Sequence, residues 1–335
     1  MPRRRWPAAG VAVVALTLGA VGLMLVGNDY RLSQRPLTIP SGEGTLDAVL
    51  SLPASEPAHG LVVFVHGDGP VDTAHDGLYL PWFEAAADAG FATLSWSKPG
   101  VGDSSGDWLD QSMKDRAEEV SAVIAWAKRQ SDIPTDVIVL WGISQAGWVL
   151  PTVATSRDDI DSIVAVSPAV NWLRQGRYNL LAELEHEDES PEERARAVAI
   201  SDQRRALLER GADHGTYRAT VDDPEPLDAD RWRFAARNYR ADATGSLTEL
   251  GARDIPVLLM LGEHDRNVDI EETATVYTDL LGADLTVERF DASHSMADPA
   301  IEDSTLRGWI TATFWPRALF ADGVLETYTR FLDGR

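Results

Sequence analysis

A chain of 335 residues with 44% apolar and 8% aromatic content can bury one large core or two small ones, and is too apolar to be disordered. The absence of cysteine excludes disulfides, thiolate metal sites and a cysteine nucleophile. A net charge of −23 argues against nucleic acid, whose phosphates would be repelled over a broad surface, and against a large polyanionic substrate.

The first 27 residues differ from the rest. Arg3, Arg4 and Arg5 precede an uncharged stretch from Trp6 to Gly27 dominated by Ala, Val, Leu and Gly. At ~1.5 Å per residue, about 20 such residues cross a hydrocarbon core of ~30 Å. The arginines favour a cytoplasmic amino end. Residues 1–27 are therefore expected to form a transmembrane helix that anchors the rest of the chain outside the cytoplasm. The competing reading is a cleaved signal sequence and a secreted protein, but signal sequences have a shorter apolar region, and no small-x-small cleavage site stands between Leu23 and Leu32. Residues 28–36 read as a polar tether.

From residue 37 the chain takes up a regular rhythm. Leu37 to Pro40 and Thr45 to Leu52 flank a Ser-Gly-Glu-Gly turn, a hairpin pattern. Short strand-like runs, most of them apolar, follow at Leu61–Val65, Phe91–Trp96, Val137–Trp141, Ile163–Val166, Ile255–Leu261 and Leu285–Phe290. Helical patterns alternate with them at Tyr79–Ala89, Ser112–Gln130 and about Ile270–Leu281, and a helical region closes the chain. Largely apolar strands, alternating with helices, predict an α/β fold with a mostly parallel sheet covered on both faces. Between Asn171 and Arg253 the strand rhythm stops, and Leu173–His186, Pro191–Arg210 and Asp228–Ala241 each suit a helix. Such an insertion would sit above the carboxyl ends of the strands, where ligands bind in open α/β sheets. The organisation predicted is a single domain over residues 37–335 with a helical cap at about 171–253.

The chemistry centres on Gly142-Ile143-Ser144-Gln145-Ala146-Gly147, directly after an apolar strand. A serine between small residues at a strand-to-helix turn has the pattern of a nucleophile elbow, where the tight turn lifts the hydroxyl clear of the sheet. Ala146 stands where a second glycine is usual. A serine hydroxyl is a weak nucleophile and needs a base, itself oriented by an acid. Of seven histidines, His59, His186 and His214 lie in polar, exposed contexts, and His75 sits in a loop with no evident partner. His66 ends a strand and suits a structural hydrogen bond. His264 neighbours the candidate acid but precedes a helix. His294 follows the last strand in a loop of small residues, which suits the base. Asp265, after the strand ending at Leu261, suits the acid, with Glu263 and Asp291 as rivals. The order Ser144, Asp265, His294 is nucleophile, acid, base.

These motifs, together with His66-Gly67-Asp68-Gly69-Pro70, Lys98-Pro99-Gly100-Val101-Gly102-Asp103-Ser104 and Gly262 to Val268, resemble the α/β-hydrolase superfamily, in its serine esterase and dienelactone-hydrolase-like group. The resemblance spans residues 37–335. It implies an oxyanion hole formed by the backbone N–H groups of Gln145 and Asp68, the Asp68 carboxylate pointing outward so as not to repel the oxyanion. It also implies hydrolysis of a carboxylic ester on a small-molecule acyl substrate through an acyl-enzyme, with no metal and no cofactor. Relatives commonly carry Asp-Lys-Arg-Gly where this chain has Ser97-Lys98-Pro99-Gly100. A thioesterase or small-peptide hydrolase would use the same triad. A different class, a membrane-anchored binding protein on a non-catalytic hydrolase fold, would leave the serine unreactive.

Overall fold

In a computed structural model, which describes residues 18–335, the strands are β1 (Leu32–Ser41), β2 (Gly44–Pro53), β3 (Gly60–Val65), β4 (Phe91–Trp96), β5 (Ile138–Ile143), β6 (Ser162–Val166), β7 (Val257–Gly262) and β8 (Leu285–Phe290). They form one sheet in the order β1-β2-β4-β3-β5-β6-β7-β8. β1, β2 and β4 pair antiparallel and every later pair is parallel. β3, β4, β6 and β7 are buried at every position, which is why their sequences are largely apolar, with only the small polar residues Thr93, Ser95 and Ser162 among them.

Successive side chains of a strand point to opposite faces, so β3 sends Leu61, Val63 and Val65 into one core and Val62 and Phe64 into the other. The first core is covered by α3 (Met113–Ala127), α4 (Leu150–Ser156), α9 (Thr244–Leu250) and α10 (Ile270–Leu281). The second is covered by α2 (Leu80–Asp88) and α13 (Val324–Asp333), which contribute Trp82, Phe83, Tyr328 and Leu332.

The amino-terminal expectation requires correction. Among the described residues, no helix is long and apolar enough to cross a membrane. Residues 18–27, where the described part of the chain begins, are helical (α1). Residues 1–17, the remainder of the expected transmembrane helix, lie outside the described residues. The stretch read as a tether is also held. Arg317 donates to the carbonyls of Gly27 and Asp29 at 2.6 and 2.8 Å and pairs with Glu84 of α2, which accepts the Arg31 N–H at 2.8 Å. β1 begins at Leu32, inside that stretch, pairing Leu32 with Pro53. The polar residues Ser33 to Pro36 conceal this first half of the edge strand, where a missing N–H is tolerated, while the half from Leu37 matches the hairpin read from the sequence.

Five helices separate β6 from β7: α5 (Trp172–His186), α6 (Pro191–Glu209), α7 (His214–Thr220), α8 (Ala229–Asn238) and α9. Asn171, Ser190, Asp213 and Asp228 cap the first four with side-chain acceptors. α6, α7 and α8 enclose their own small core, in which the rings of Tyr217 and Trp232 stack at 4.4 Å. α7 and α9 are each seven residues long, too short to announce themselves through periodicity. After β8 come α11 (Pro299–Glu302) and α12 (Thr305–Phe314).

Candidate active site

β5 delivers Ser144 at its carboxyl end, and the backbone turns there with Ser144 at φ +58°, a left-handed conformation uncommon for any residue but glycine. A short 3-10 turn, Ser144–Trp148, leads into α4. The small residues around the serine have separate reasons. A Cβ at Gly142 would lie 2.7 Å from the Ala146 methyl, and one at Gly147 would lie 2.4 Å from the Ala169 carbonyl oxygen. The Ala169 N–H in turn donates to Ser144 O at 3.0 Å, which fastens the turn to the loop after β6. Ala146 therefore fills space beside Gly142, and the close backbone approach that demands a glycine falls one residue later, at Gly147.

Asp265 follows β7 and His294 follows β8. His294 Nδ1 lies 2.7 Å from Asp265 Oδ2, and the Asp265 side chain is fully buried. Its other oxygen accepts the backbone N–H groups of Asn267 and Val268 at 2.7 and 2.8 Å, which fixes the carboxylate's orientation. Ser144 and His294 line one cavity of about 750 Å³. The rival acids lie elsewhere: Glu263 is exposed, and Asp291 is exposed and bonded to His264 Nε2 at 2.6 Å. His66 is buried with Nε2 2.6 Å from the Trp96 carbonyl, and burial pushes its pKa down to about 3. It is thus a neutral imidazole whose Nε2–H donates to that carbonyl. His75, for which the sequence suggested no partner, lies on the cavity wall edge-on to Tyr79.

Gly67 lies directly over Ser144, since a Cβ there would touch Ser144 Cβ at 3.4 Å. Asp68 is next in the chain, and its N–H has no partner among the described residues. Its carboxylate does not simply point outward. It accepts from Gln145 Nε2 and from Arg231 Nη1 at 3.0 Å each, with a second, shorter bond from Arg231 Nη2. Partial desolvation would raise this carboxyl, but Arg231, reaching down from α8, outweighs it and holds the pKa below the usual carboxylate range. The repulsion expected of an acid at this position is neutralised by the helical insertion.

The insertion also ties to the loop that carries Asp265. Tyr178 donates to the Asp265 carbonyl at 2.8 Å, Gln175 to the Asn267 carbonyl at 2.8 Å, and Asn179 to Asn267 Oδ1 at 3.0 Å. Leu78, Tyr79, Trp82, Trp141 and Phe320 form an apolar wall of the cavity, and Gln175, Asn179 and Asn267 a polar one. Arg231 and Tyr178 escaped the sequence reading because each acts on a residue far away in the chain, a pairing that no local pattern encodes.

The sheet order, the strained serine at the end of β5 and the loops gathered at the strand ends define a serine hydrolase of the α/β-hydrolase superfamily, bearing out the resemblance at that level. More narrowly, the chain belongs to the S15 peptidase family: the family model described as X-Pro dipeptidyl-peptidase matches residues 28–294. An uncharacterized 31.7 kDa protein of Escherichia coli, from the traX-finO intergenic region, is 30% identical over 115 residues, which are 34% of this chain and 39% of that protein. The chain thus matches about two fifths of that relative's length. Among solved structures, the esterase Pf2001 of Pyrococcus furiosus is similar with a TM-score of 0.54 at 14% identity, covering 84% of this chain and 88% of its own. Est1E of Butyrivibrio proteoclasticus, with ferulic acid bound, is similar with a TM-score of 0.54 at 18% identity, covering 89% and 96%. At these identities the two structures speak for the fold.

Proposed function

We propose that this hydrolase cleaves carboxylic esters with an apolar acyl group through a Ser144–His294–Asp265 triad. The observation that carries the reading is a strained Ser144 that lines the same cavity as an imidazole whose far nitrogen is held by a buried carboxylate. Ser144 Oγ attacks the acyl carbonyl as its proton passes to His294 Nε2, and Asp265 stabilises the resulting imidazolium. The backbone N–H groups of Asp68 and Gln145 receive the oxyanion. Collapse expels the alcohol, which takes the proton from His294 and leaves an acyl-enzyme. Water, giving its proton to His294, then releases the acid by the reverse sequence. The aromatic wall of Tyr79, Trp82, Trp141 and Phe320 supports an apolar acyl group.

Family membership supports a second reading, hydrolysis of a short peptide. The cavity offers it one feature, the carboxylate of Glu302, which accepts from the hydroxyls of Ser293 and Ser295 and would hold a substrate ammonium. Matched nitrophenyl ester, thioester and dipeptidyl anilide substrates separate the readings by kcat/KM. Ester turnover lost in Ser144→Ala, with the fold intact, is the expected result. Unchanged ester turnover in that variant overturns the triad, and a preference for the anilide transfers the assignment to peptides.

A further inference from the structure

Two buried cations lie behind the oxyanion loop, and the mechanism above uses neither. Arg116 of α3 donates to Gln145 Oε1 at 2.5 Å and to the His66 carbonyl at 2.6 Å. Lys98, just after β4, is 3% exposed and donates from Nζ to the Gly67 carbonyl at 2.5 Å. No carboxylate bonds to Lys98 among the described residues; its other neighbour is the face of the Trp108 ring, 4.8 Å away. Burial, and then the charge of Arg116, push its pKa well below the usual lysine range, opposed by Asp68 and Glu119, with Arg231 adding to the depression. A buried amine without an anionic partner is unfavourable for the fold, so a structural role alone is a poor reason for it.

The identity of its acceptor supplies another reason. Gly67 C=O and Asp68 N–H are the two ends of a single conjugated peptide unit. A donor on that oxygen draws electron density along the amide, strengthens the N–H at the other end and pins the plane of the peptide. The lysine is itself rigid: its N–H donates to the Val71 carbonyl at 3.0 Å, and Pro99 restricts its backbone.

We propose that Lys98 is a positioning residue of this hydrolase, bracing and polarising the Gly67–Asp68 peptide so that its N–H meets the oxyanion. The proposal rests on the reading of Asp68 N–H as an oxyanion donor. Lys98→Met keeps the side chain's length and removes both charge and donor. With a nitrophenyl butyrate probe, kcat falls about 10- to 100-fold, less than or equal to the loss of a whole oxyanion donor, while KM stays within about 2-fold. A trifluoromethyl ketone, which forms a tetrahedral adduct with serine, loses affinity by the same factor. The methyl ketone of the same chain, which binds planar, is unaffected. Lys98→Gln, which keeps a neutral donor, recovers part of the loss, and supplies the comparison if the Met variant does not fold. Wild-type kcat and trifluoromethyl ketone affinity in Lys98→Met, or an equal loss for both ketones, overturns the proposal. A fluorophosphonate that fails to label the wild-type protein at Ser144 overturns the hydrolase reading instead.

Discussion

Asp265 gives one carboxylate oxygen to His294 Nδ1 at 2.7 Å and the other to two N–H groups of its own loop. Both faces of the carboxylate demand an acceptor. Asp265→Asn must turn its NH₂ either toward those backbone donors or toward His294, where it forces the wrong tautomer. The variant is expected to fold and to lose about 10⁴ in kcat, with KM changed far less. Steady-state kinetics on an ester at neutral pH checks this. A loss below about tenfold would show that another group orients the imidazole.

The Asp68–Arg231 pair joins the loop after β3 to α8, and under the proposed mechanism it predicts a compensating pair of variants. Arg231→Met leaves the Asp68 carboxylate unneutralised beside the developing oxyanion, so kcat is expected to fall about tenfold or more. Adding Asp68→Asn removes the repulsion and restores most of the activity, giving a coupling that simple additivity forbids. The sign with pH follows from the same contact. Arg231 holds the Asp68 pKa down, so its loss raises that pKa. The deficit of Arg231→Met relative to wild type then shrinks as pH is lowered and Asp68 takes up a proton. A deficit that is constant with pH, together with additive losses in the double variant, would remove Asp68 charge from the account.

Much of this was legible because it is local. Apolar runs such as Leu61–Val65 announce buried parallel strands, and Ser144 follows such a run, whereas His294 follows β8, an edge strand that carries Thr286, Glu288 and Arg289. What could not be read were contacts across the sheet edge. Nothing near Lys98 in sequence names Gly67 as its acceptor, and Arg231 stands 163 residues from Asp68. Only the first half of β1 was concealed, and for a different reason, since an edge strand paired on one side can carry Gln34, Arg35 and Pro36. The membrane span was read from apolar length and flanking arginines, whereas among the described residues no helix is long and apolar enough to cross a membrane.

The elbow makes a prediction about its two small residues that reverses the usual emphasis. Ala146→Gly only removes a methyl that touches Gly142, and should cost no more than about 1 kcal/mol, mostly through backbone entropy. Gly147→Ala drives a methyl to 2.4 Å from the Ala169 carbonyl, and must shift the loop fastened to Ser144. Overpacking of this kind costs about 1–3 kcal/mol and displaces Ser144. Thermal melts and phosphonate labelling of the two variants check the order. Equal behaviour would mean that the loop after β6 yields freely.

His66 gives the fold a pH dependence whose direction can be worked out. In the native state it is neutral, its Nε2 bonded to the Trp96 carbonyl and its Nδ1 buried with no partner among the described residues. Burial holds its pKa at about 3, against an ordinary value of 6.5. A histidine depressed in this way binds its proton in the unfolded chain first, so acid favours unfolding. The stability is complete above about pH 6.5 and declines as pH falls toward 3, at up to about 1.4 kcal/mol per pH unit. Carboxylates such as Glu84, which Arg317 holds below the usual range despite burial, add their own acid sensitivity at lower pH, so wild-type curves alone do not isolate the histidine. His66→Gln does, because the amide can still donate to Trp96 and cannot titrate. At pH 8 the variant is expected to be less stable, by about 1–3 kcal/mol, through imperfect packing. Urea denaturation at a series of pH values should then show its deficit shrinking steadily between pH 6.5 and 4, as only the wild type pays the protonation penalty. Parallel curves over that range would mean that His66 titrates normally and is not held neutral by its burial.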